Sequence, residues 1–373
     1  MKIHFLSINP LTNIPSLRFI IDFFIQKNWN ITISEIHLKS VNNYLENKNL
    51  ILKNIVEFED FNAYRKGLKK ITVTKYLKTI KWLLFSTDDV IYTNDFQVVF
   101  FKLIINKKAI LIYHQFELID IDFLGQFSKL MFRYVLKNAN KIDLCIFPEK
   151  NRAAHFITNS SLPSSKAIII PNTCSVAKHN EEFKETCIDF IPDDYFKVLH
   201  VGAFGAEGHY FNTFLNATKK FKSTDKITFI FIGRKTKQID DFLSQNNFSN
   251  VHFIEAIPHE ELLKIYHKID LGIILYKGAD LNFEYCAPNK LYEFWSNGIP
   301  VVGHHLKGLT SVFTEDFLGK LTDFNDEEKI IATITELKKL PKENKLTLMN
   351  YFKNNLDVEN YISLLEKHIQ KLF

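Results

Sequence analysis

Residues 285–302 read Tyr285-Cys-Ala-Pro-Asn-Lys-Leu-Tyr-Glu-Phe-Trp-Ser-Asn-Gly-Ile-Pro-Val-Val302, a helix marked at both ends with a strand behind it. Pro288 suits a helical first turn, Gly298 suits the left-handed position just past a helix, and Pro300 forbids continuation. The spacing predicts a helix over 289–297 and a strand over 300–302, with another apolar run upstream at 271–275. Strand, helix, strand in that order is the crossover unit of a parallel sheet.

The same alternation extends in both directions. Apolar runs at 3–8, 31–36, 90–92, 109–113, 142–147 and 166–170 are separated by helical patterns at 15–26, from 95 onward and at 124–139. After Pro192 it restarts, with strands at 198–201, 227–232 and 251–254 and helices at 212–221, 239–246 and 260–267. Helical segments at 326–339 and 358–372 close the chain. Strands apolar on both faces and separated by helices make parallel sheets covered on two sides. The expected class is α/β: two Rossmann-like doubly wound domains facing a central cleft at their strand C-terminal edges. Periodicity lapses between Pro171 and Pro192. The expected division is 1–185, 186–345, and a C-terminal helix in 346–373 packing back on the first domain, consistent with 373 residues and two cores.

Composition narrows the function. Apolar residues at 46% and charged residues at 24% describe a globular chain. A net charge of +5 is too mild to mark a nucleic-acid partner, yet it suits an anionic ligand or a membrane surface. Cys145, Cys174, Cys187 and Cys286 lack CxxC spacing, which argues against a disulfide framework or a zinc site. No apolar run approaches the roughly 20 residues of a spanning helix. The first residues read as a core strand and its loop, so the expected location is cytoplasmic, at most attached to a membrane face.

In the opening stretch, a helix N-terminus offers unpaired N–H groups and a positive dipole end to an anion, and Lys290 adds a formal charge. Asn289 either contacts that anion or caps its own helix. Glu293 lies four residues on, along the same face, and its carboxylate suits two hydroxyls of a ribose diol. A solvated helix face would carry the same Lys and Glu.

The segment resembles the donor-site helix of the GT-B glycosyltransferases, in the family 4-like branch with its Pro-Asn-Lys-Leu-(Tyr/Phe)-Glu-(Tyr/Phe) signature. Val198-Leu-His-Val-Gly202, Phe229-Ile-Phe-Ile-Gly-Arg234, Ile257-Pro-His-Glu-Glu-Leu262 and Tyr266-His-Lys-Ile-Asp-Leu-Gly-Ile273 resemble further motifs of the same half. Asp89-Val-Ile-Tyr-Thr-Asn-Asp95, Ile112-Tyr-His-Gln-Phe-Glu-Leu118 and Ile168-Ile-Ile-Pro-Asn172 match those of the first half, all in order. The resemblance implies transfer of a sugar from a nucleotide diphosphate sugar, with retention and without a metal or other cofactor. It places Glu293 on ribose, Lys290 and Arg234 on the diphosphate with Asn289 and Gly202, and His114 as the catalytic-site residue near the reacting sugar. Arg18 falls where members contact the acceptor, here expected to be a growing surface glycan such as a lipid-linked capsule or O-antigen unit. A nucleotide-sugar 2-epimerase and an inactive partner that binds a glycan or a transferase are the alternatives.

Two departures stand out. Where many members carry an acidic residue eight before the ribose-binding Glu, this chain has Tyr285, with Glu284 one residue off. The turn from Gly202 to Tyr210 holds no Lys or Arg, so phosphate stabilisation leans on Lys290, Arg234 or backbone amides. Gly202, Gly205, Gly208 and Gly233 are read as strand-end turns facing the donor. Residues 69–85 are basic, aromatic and amphipathic at helical spacing, and Lys78, Lys81 and Trp82 on neighbouring turns suit an anionic bilayer. The same pattern fits a core-facing helix with solvated lysines. His200, inside an apolar strand, reads as core.

Overall fold

In a computed structural model the described residues are 1–11, 14–38, 49–67, 72–105, 108–176, 185–202, 208–234, 240, 243–244, 248–341 and 343–373. The chain divides into two compact units, Met1–Pro171 with Tyr361–Phe373, and Asn172–Asn360.

The first unit is built on β1 (Lys2–Leu6), β2 (Asn30–Leu38), β3 (Leu50–Phe58), β4 (Val90–Thr93), β5 (Ile110–His114), β6 (Leu144–Phe147) and β7 (Ala167–Ile169). All pair in parallel, in the order β3-β2-β1-β4-β5-β6-β7. The second holds β8 (Phe196–Val201), β9 (Ile227–Ile232), β10 (Val251–Ile254), β11 (Leu271–Ile274), β12 (Val301–His304) and β13 (Gly319–Thr322). These too are parallel, in the order β10-β9-β8-β11-β12-β13. Both sheets are doubly wound and Rossmann-like, as expected. Strand order reverses between β1 and β4 and between β8 and β11, and ligands of such sheets bind beyond the strand C-termini at that reversal.

The sequence reading missed β3 and β13. Lys53, Asn54 and Glu57 break the apolar run of β3, which lies at the sheet edge and leaves much of its length exposed. Strand β13 is four residues opening on Gly319, whose φ is +120° and where a Cβ would sit 2.0 Å from the Val301 carbonyl oxygen. Residues 239–246 lie largely outside the described residues.

At the first reversal, buried Asp95 gathers the loop after β1. Its Oδ2 accepts from Ser7 Oγ at 2.5 Å and the Ile8 N–H at 2.8 Å, and its Oδ1 from Asn9 Nδ2 at 2.5 Å. Burial pushes its carboxyl up, while Ser7, Ile8, Asn9 and the Lys75 ammonium pull it down. One turn on, Glu35 accepts from the Leu11 N–H at 2.6 Å.

The basic aromatic segment forms the helix Thr72–Phe85. Trp82 packs against two hydrophobic clusters, and Lys78 Nζ donates to the Ile55 carbonyl at 2.5 Å, so that face looks inward. Of the three residues read as a bilayer face, only Lys81 is exposed; Val73, Leu77, Leu84 and Phe85 point outward instead.

In the second unit, Trp295 is buried and donates to the Leu318 carbonyl at 2.9 Å. Its first residues are sewn to its last: Thr173 Oγ1 donates to Leu356 O (2.6 Å), the Val176 N–H to Asp357 Oδ2 (2.9 Å) and the Val358 N–H to Cys174 O (3.1 Å). The final helix is Val358–Gln370; within the first unit it buries Ile362, Leu365 and Ile369, and Glu366 pairs with Lys27 at 3.8 Å. Among the described residues no two cysteines form a disulfide, and no helix is long and apolar enough to cross a membrane.

Candidate functional site

The helix read from the sequence spans Asn289–Ser296. It is entered through extended Pro288, and no side chain caps it, so Asn289 does not serve as its own helix's cap. The Leu291 N–H reaches the Pro288 carbonyl at 3.1 Å, and the Asn289 and Lys290 N–H groups before it remain for a ligand.

Glu293 stands one turn in, nearly buried. Its Oε2 accepts from Tyr266 Oη at 2.7 Å and Lys290 Nζ at 2.6 Å, and lies 3.6 Å from His259 Nε2. Among the described residues its Oε1 accepts no hydrogen bond. Burial alone would raise this carboxyl, but His259, Lys290 and Tyr266 together hold it down to about 2. Glu293 is thus a fixed anion with one oxygen uncommitted, an acceptor-only group that fits hydroxyls and repels phosphate. Lys290 is drawn onto it by their i,i+3 spacing and keeps about a quarter of its side chain exposed. Tyr266 and His259 come from the helix His259–Tyr266, before β11, and neither was singled out in the motifs that contain them.

Adjacent strands β8 and β9 end at Gly202 and Gly233, with φ of +146° and +157°. The Gly202 N–H still reaches Ile232 O at 3.0 Å, and the Gly233 N–H reaches Ile254 O at 3.1 Å. At Gly202 a Cβ would meet only His200 Nε2, at 3.8 Å, so backbone conformation rather than space demands glycine there. Arg234 follows, exposed. Because the sheet is parallel, Gly202, Arg234, the loop after β11 and Pro288 all lie at its C-terminal edge. Gly205 lies outside the described residues. At Gly208 the reason for glycine is the Phe283 ring, 2.4 Å from where a Cβ would sit. Glu284 lies against Gly278 in the loop after β11, while the Tyr285 ring sits under Lys307 Nζ at 5.7 Å. Buried His200 shares Nδ1 with the Ile273 carbonyl at 3.1 Å, a core histidine as read. His304 instead lies 3.3 Å from Tyr210 Oη.

In the first unit, His114 ends β5, fully buried and stacked on Phe116 at 3.8 Å. Its Nδ1 is 2.7 Å from Tyr92 Oη, and burial pushes its pKa down to about 3. Among the described residues Tyr92 Oη has no other partner, so the network assigns its hydrogen to Nδ1 and leaves the imidazole hydrogen on Nε2. That Nε2 is itself unpartnered, as are Asn94 Oδ1 and Gln115 Oε1, all buried. Thr93 pairs with Tyr113 in the ladder, which sets Asn94 and His114 side by side at the strand ends. The neutral N–H of His114 and the amide carbonyl of Asn94 beside it are uncharged groups suited to hydroxyls. Neither amide was singled out from the sequence, although both lie within quoted motifs. Arg18 Nε, on the first helix, sits 3.8 Å from Asp22 one turn on.

Across pH 8 to 5, the ring carbons of His114 are expected not to titrate in proton–carbon NMR spectra. Its unfolded counterpart would protonate near 6.5, so this residue's contribution to stability is intact above 6.5 and declines as pH falls from 6.5 toward 3. A midpoint for His114 near 6.5 in the folded protein would refute the neutral assignment. Among the described residues no three His, Cys, Asp or Glu side chains are grouped to hold a metal ion.

Residues 184–355 match the family model described as glycosyl transferases group 1. No curated protein sequence matches the chain. Among solved structures, Anabaena Alr3699/HepE in complex with UDP superposes with a TM-score of 0.72 at 15% identity, covering 100% of both chains. Sucrose-phosphate synthase from Thermosynechococcus elongatus gives 0.67 at 14% identity, covering 100% of this chain and 99% of that one. WaaG, a glycosyltransferase involved in lipopolysaccharide biosynthesis, gives 0.65 at 11% identity, covering 98% and 99%.

Proposed function

We propose, from the premise that this chain is a glycosyltransferase of the GT-B fold, that its second unit binds a nucleotide diphosphate sugar and its first unit a hydroxyl-bearing glycan. Glu293 carries the reading: a nearly buried, ionised carboxylate with one open oxygen, beside an uncapped helix N-terminus, can take a ribose diol and turn the diphosphate toward the N–H groups. As the glycosidic bond breaks, charge grows on the leaving diphosphate, and fixed positive groups lower that barrier. Lys290, Arg234 and the first turn at Asn289 are assigned to it, and Gly202, its N–H held by Ile232, is assigned to the donor site as a turn that lets the diphosphate approach without a side chain in the way. In the first unit, the His114 N–H is assigned to an oxygen of the reacting sugar, and Arg18 to the acceptor. We take the transfer to retain anomeric configuration and to need no metal, with a growing surface glycan as acceptor. Alr3699/HepE crystallised with UDP and UDP-glucose, and WaaG acts in lipopolysaccharide biosynthesis, which support donor class and acceptor type. Four cysteines outside any disulfide suit a reducing, cytoplasmic setting.

The test is a panel of UDP-, GDP-, ADP- and dTDP-sugars, read by thermal shift and by nucleotide release. A donor at a hundred times its Kd adds about 2.7 kcal/mol, roughly 5–10 °C for a unit of this size. Silence across the panel sinks the reading. Epimer formed without acceptor replaces transfer by epimerisation.

A further inference from the structure

The helix Thr72–Phe85 begins at the C-terminal edge of the first sheet, because it follows β3 and returns the chain to the start of parallel β4. Lys75 stands in its first turn, where the helix dipole disfavours a cation. It is also only 8% exposed, so desolvation disfavours the charge a second time. Nothing offsets these costs directly. Among the described residues the Lys75 ammonium makes no ion pair and donates no hydrogen bond, and it lies 5.5 Å from the centroid of the Tyr76 ring.

The carboxylates of this edge serve other groups. Asp95 counters the fall that burial imposes on the Lys75 pKa, yet it stands beyond ion-pair distance, and its oxygens hold Ser7, Ile8 and Asn9. Glu35 accepts from the Leu11 N–H. Tyr64 Oη donates to Asn9 Oδ1 at 3.0 Å. Arg18, the cation assigned above to the acceptor, sits by Asp22. What stays open is a set of donors: the three N–H bonds of Lys75 and the hydroxyl of half-buried Tyr76, which has no hydrogen-bond partner among the described residues. A residue that breaks local rules without local compensation marks a functional position. An oxyanion, which only accepts, compensates this charge; a neutral hydroxyl would leave it unbalanced.

We propose that Lys75 selects the acceptor by binding an oxyanion on it, a carboxylate or a phosphate, with the Tyr76 hydroxyl as a second donor. The inference rests on reading the first unit as the side that takes the glycan, and it makes that glycan acidic.

Glucose, glucuronate and glucose 6-phosphate, which differ at one carbon, test it by calorimetry with the full chain saturated in UDP. At least one acidic sugar is expected to bind on the order of tenfold more tightly than glucose. The tighter of the two names the source, a uronic acid or a sugar phosphate. Lys75→Met keeps the stem and removes the charge, and should bring the three sugars within about threefold of one another. Its Tm should equal or exceed that of wild type, since an unpaired buried charge is removed. A structural lysine serving Asp95 would instead lower the Tm and leave the order of sugars unchanged, and that result overturns the proposal. Tyr76→Phe should weaken the preferred acidic sugar severalfold and leave glucose alone. Equal binding of the three sugars by wild type, no binding of either acidic sugar, or a Lys75→Met protein that keeps the preference also overturns it. UDP thermal shift of wild type is read separately: its absence sinks the donor reading, while the response to Lys75→Met still decides this one.

Discussion

Glu293→Ala is expected to weaken nucleotide binding at least a hundredfold, about 2.7 kcal/mol, measured by calorimetry with UDP. Two effects combine. The diol loses a charged acceptor, and hydrogen bonds to charged groups contribute about 1.5–3 kcal/mol each. The Lys290 ammonium and Tyr266 hydroxyl, both now directed to Oε2 within 2.7 Å, also lose the partner that orients them. Glu293→Gln separates the terms, because it keeps the shape and removes the charge. It should also flatten the acid limb of stability. A carboxyl held near 2 in the folded state against an ordinary 4.5 stabilises the fold above 4.5 and loses that contribution as pH falls from 4.5 toward 2. If Glu293→Ala binds UDP within threefold of wild type, the ribose assignment fails.

Asp95→Asn carries the second large effect, this time on stability. The substitution replaces one acceptor oxygen by an NH2 group facing donors: Ser7 Oγ and the Ile8 N–H on one side, Asn9 Nδ2 on the other. It also withdraws the negative charge from beside buried Lys75. Breaking one partner out of such a buried network costs on the order of 3 kcal/mol or more. In urea the first unit should unfold at lower concentration, while UDP still protects the second. A variant as stable as wild type would show that the loop after β1 is held by other contacts.

What the sequence disclosed, and what it withheld, follows from where each signal resides. Pro288, Gly298 and Pro300 act on their own backbone, and the helix they predicted over 289–297 runs Asn289–Ser296. Fully buried strands such as β9 were legible to the residue because nothing polar interrupts them. Edge strand β3 was not, since a strand with one open side tolerates Lys53 and Asn54. The Thr72–Phe85 helix was legible as a helix, but its orientation was not: a 3.6-residue period yields two faces, and only packing against Ile55 and the adjacent clusters decides which is covered. For Glu293 the neighbour one turn away was visible. Tyr266, 27 residues back, was joined to it only by the crossing of two helices.

The divided first unit has a consequence for the order of events at the ribosome. Domains fold as units while the chain emerges, N-terminal ones usually first. Here the N-terminal unit counts Tyr361–Phe373 among its residues, with Ile362, Leu365 and Ile369 buried and Glu366 paired with Lys27. Its last helical layer is still inside the exit tunnel when residues 172–360 have nearly all emerged. The half made first is therefore completed last, and a chain released from the ribosome after truncation at residue 360 would keep every residue of the second unit while the first lacked its final helix.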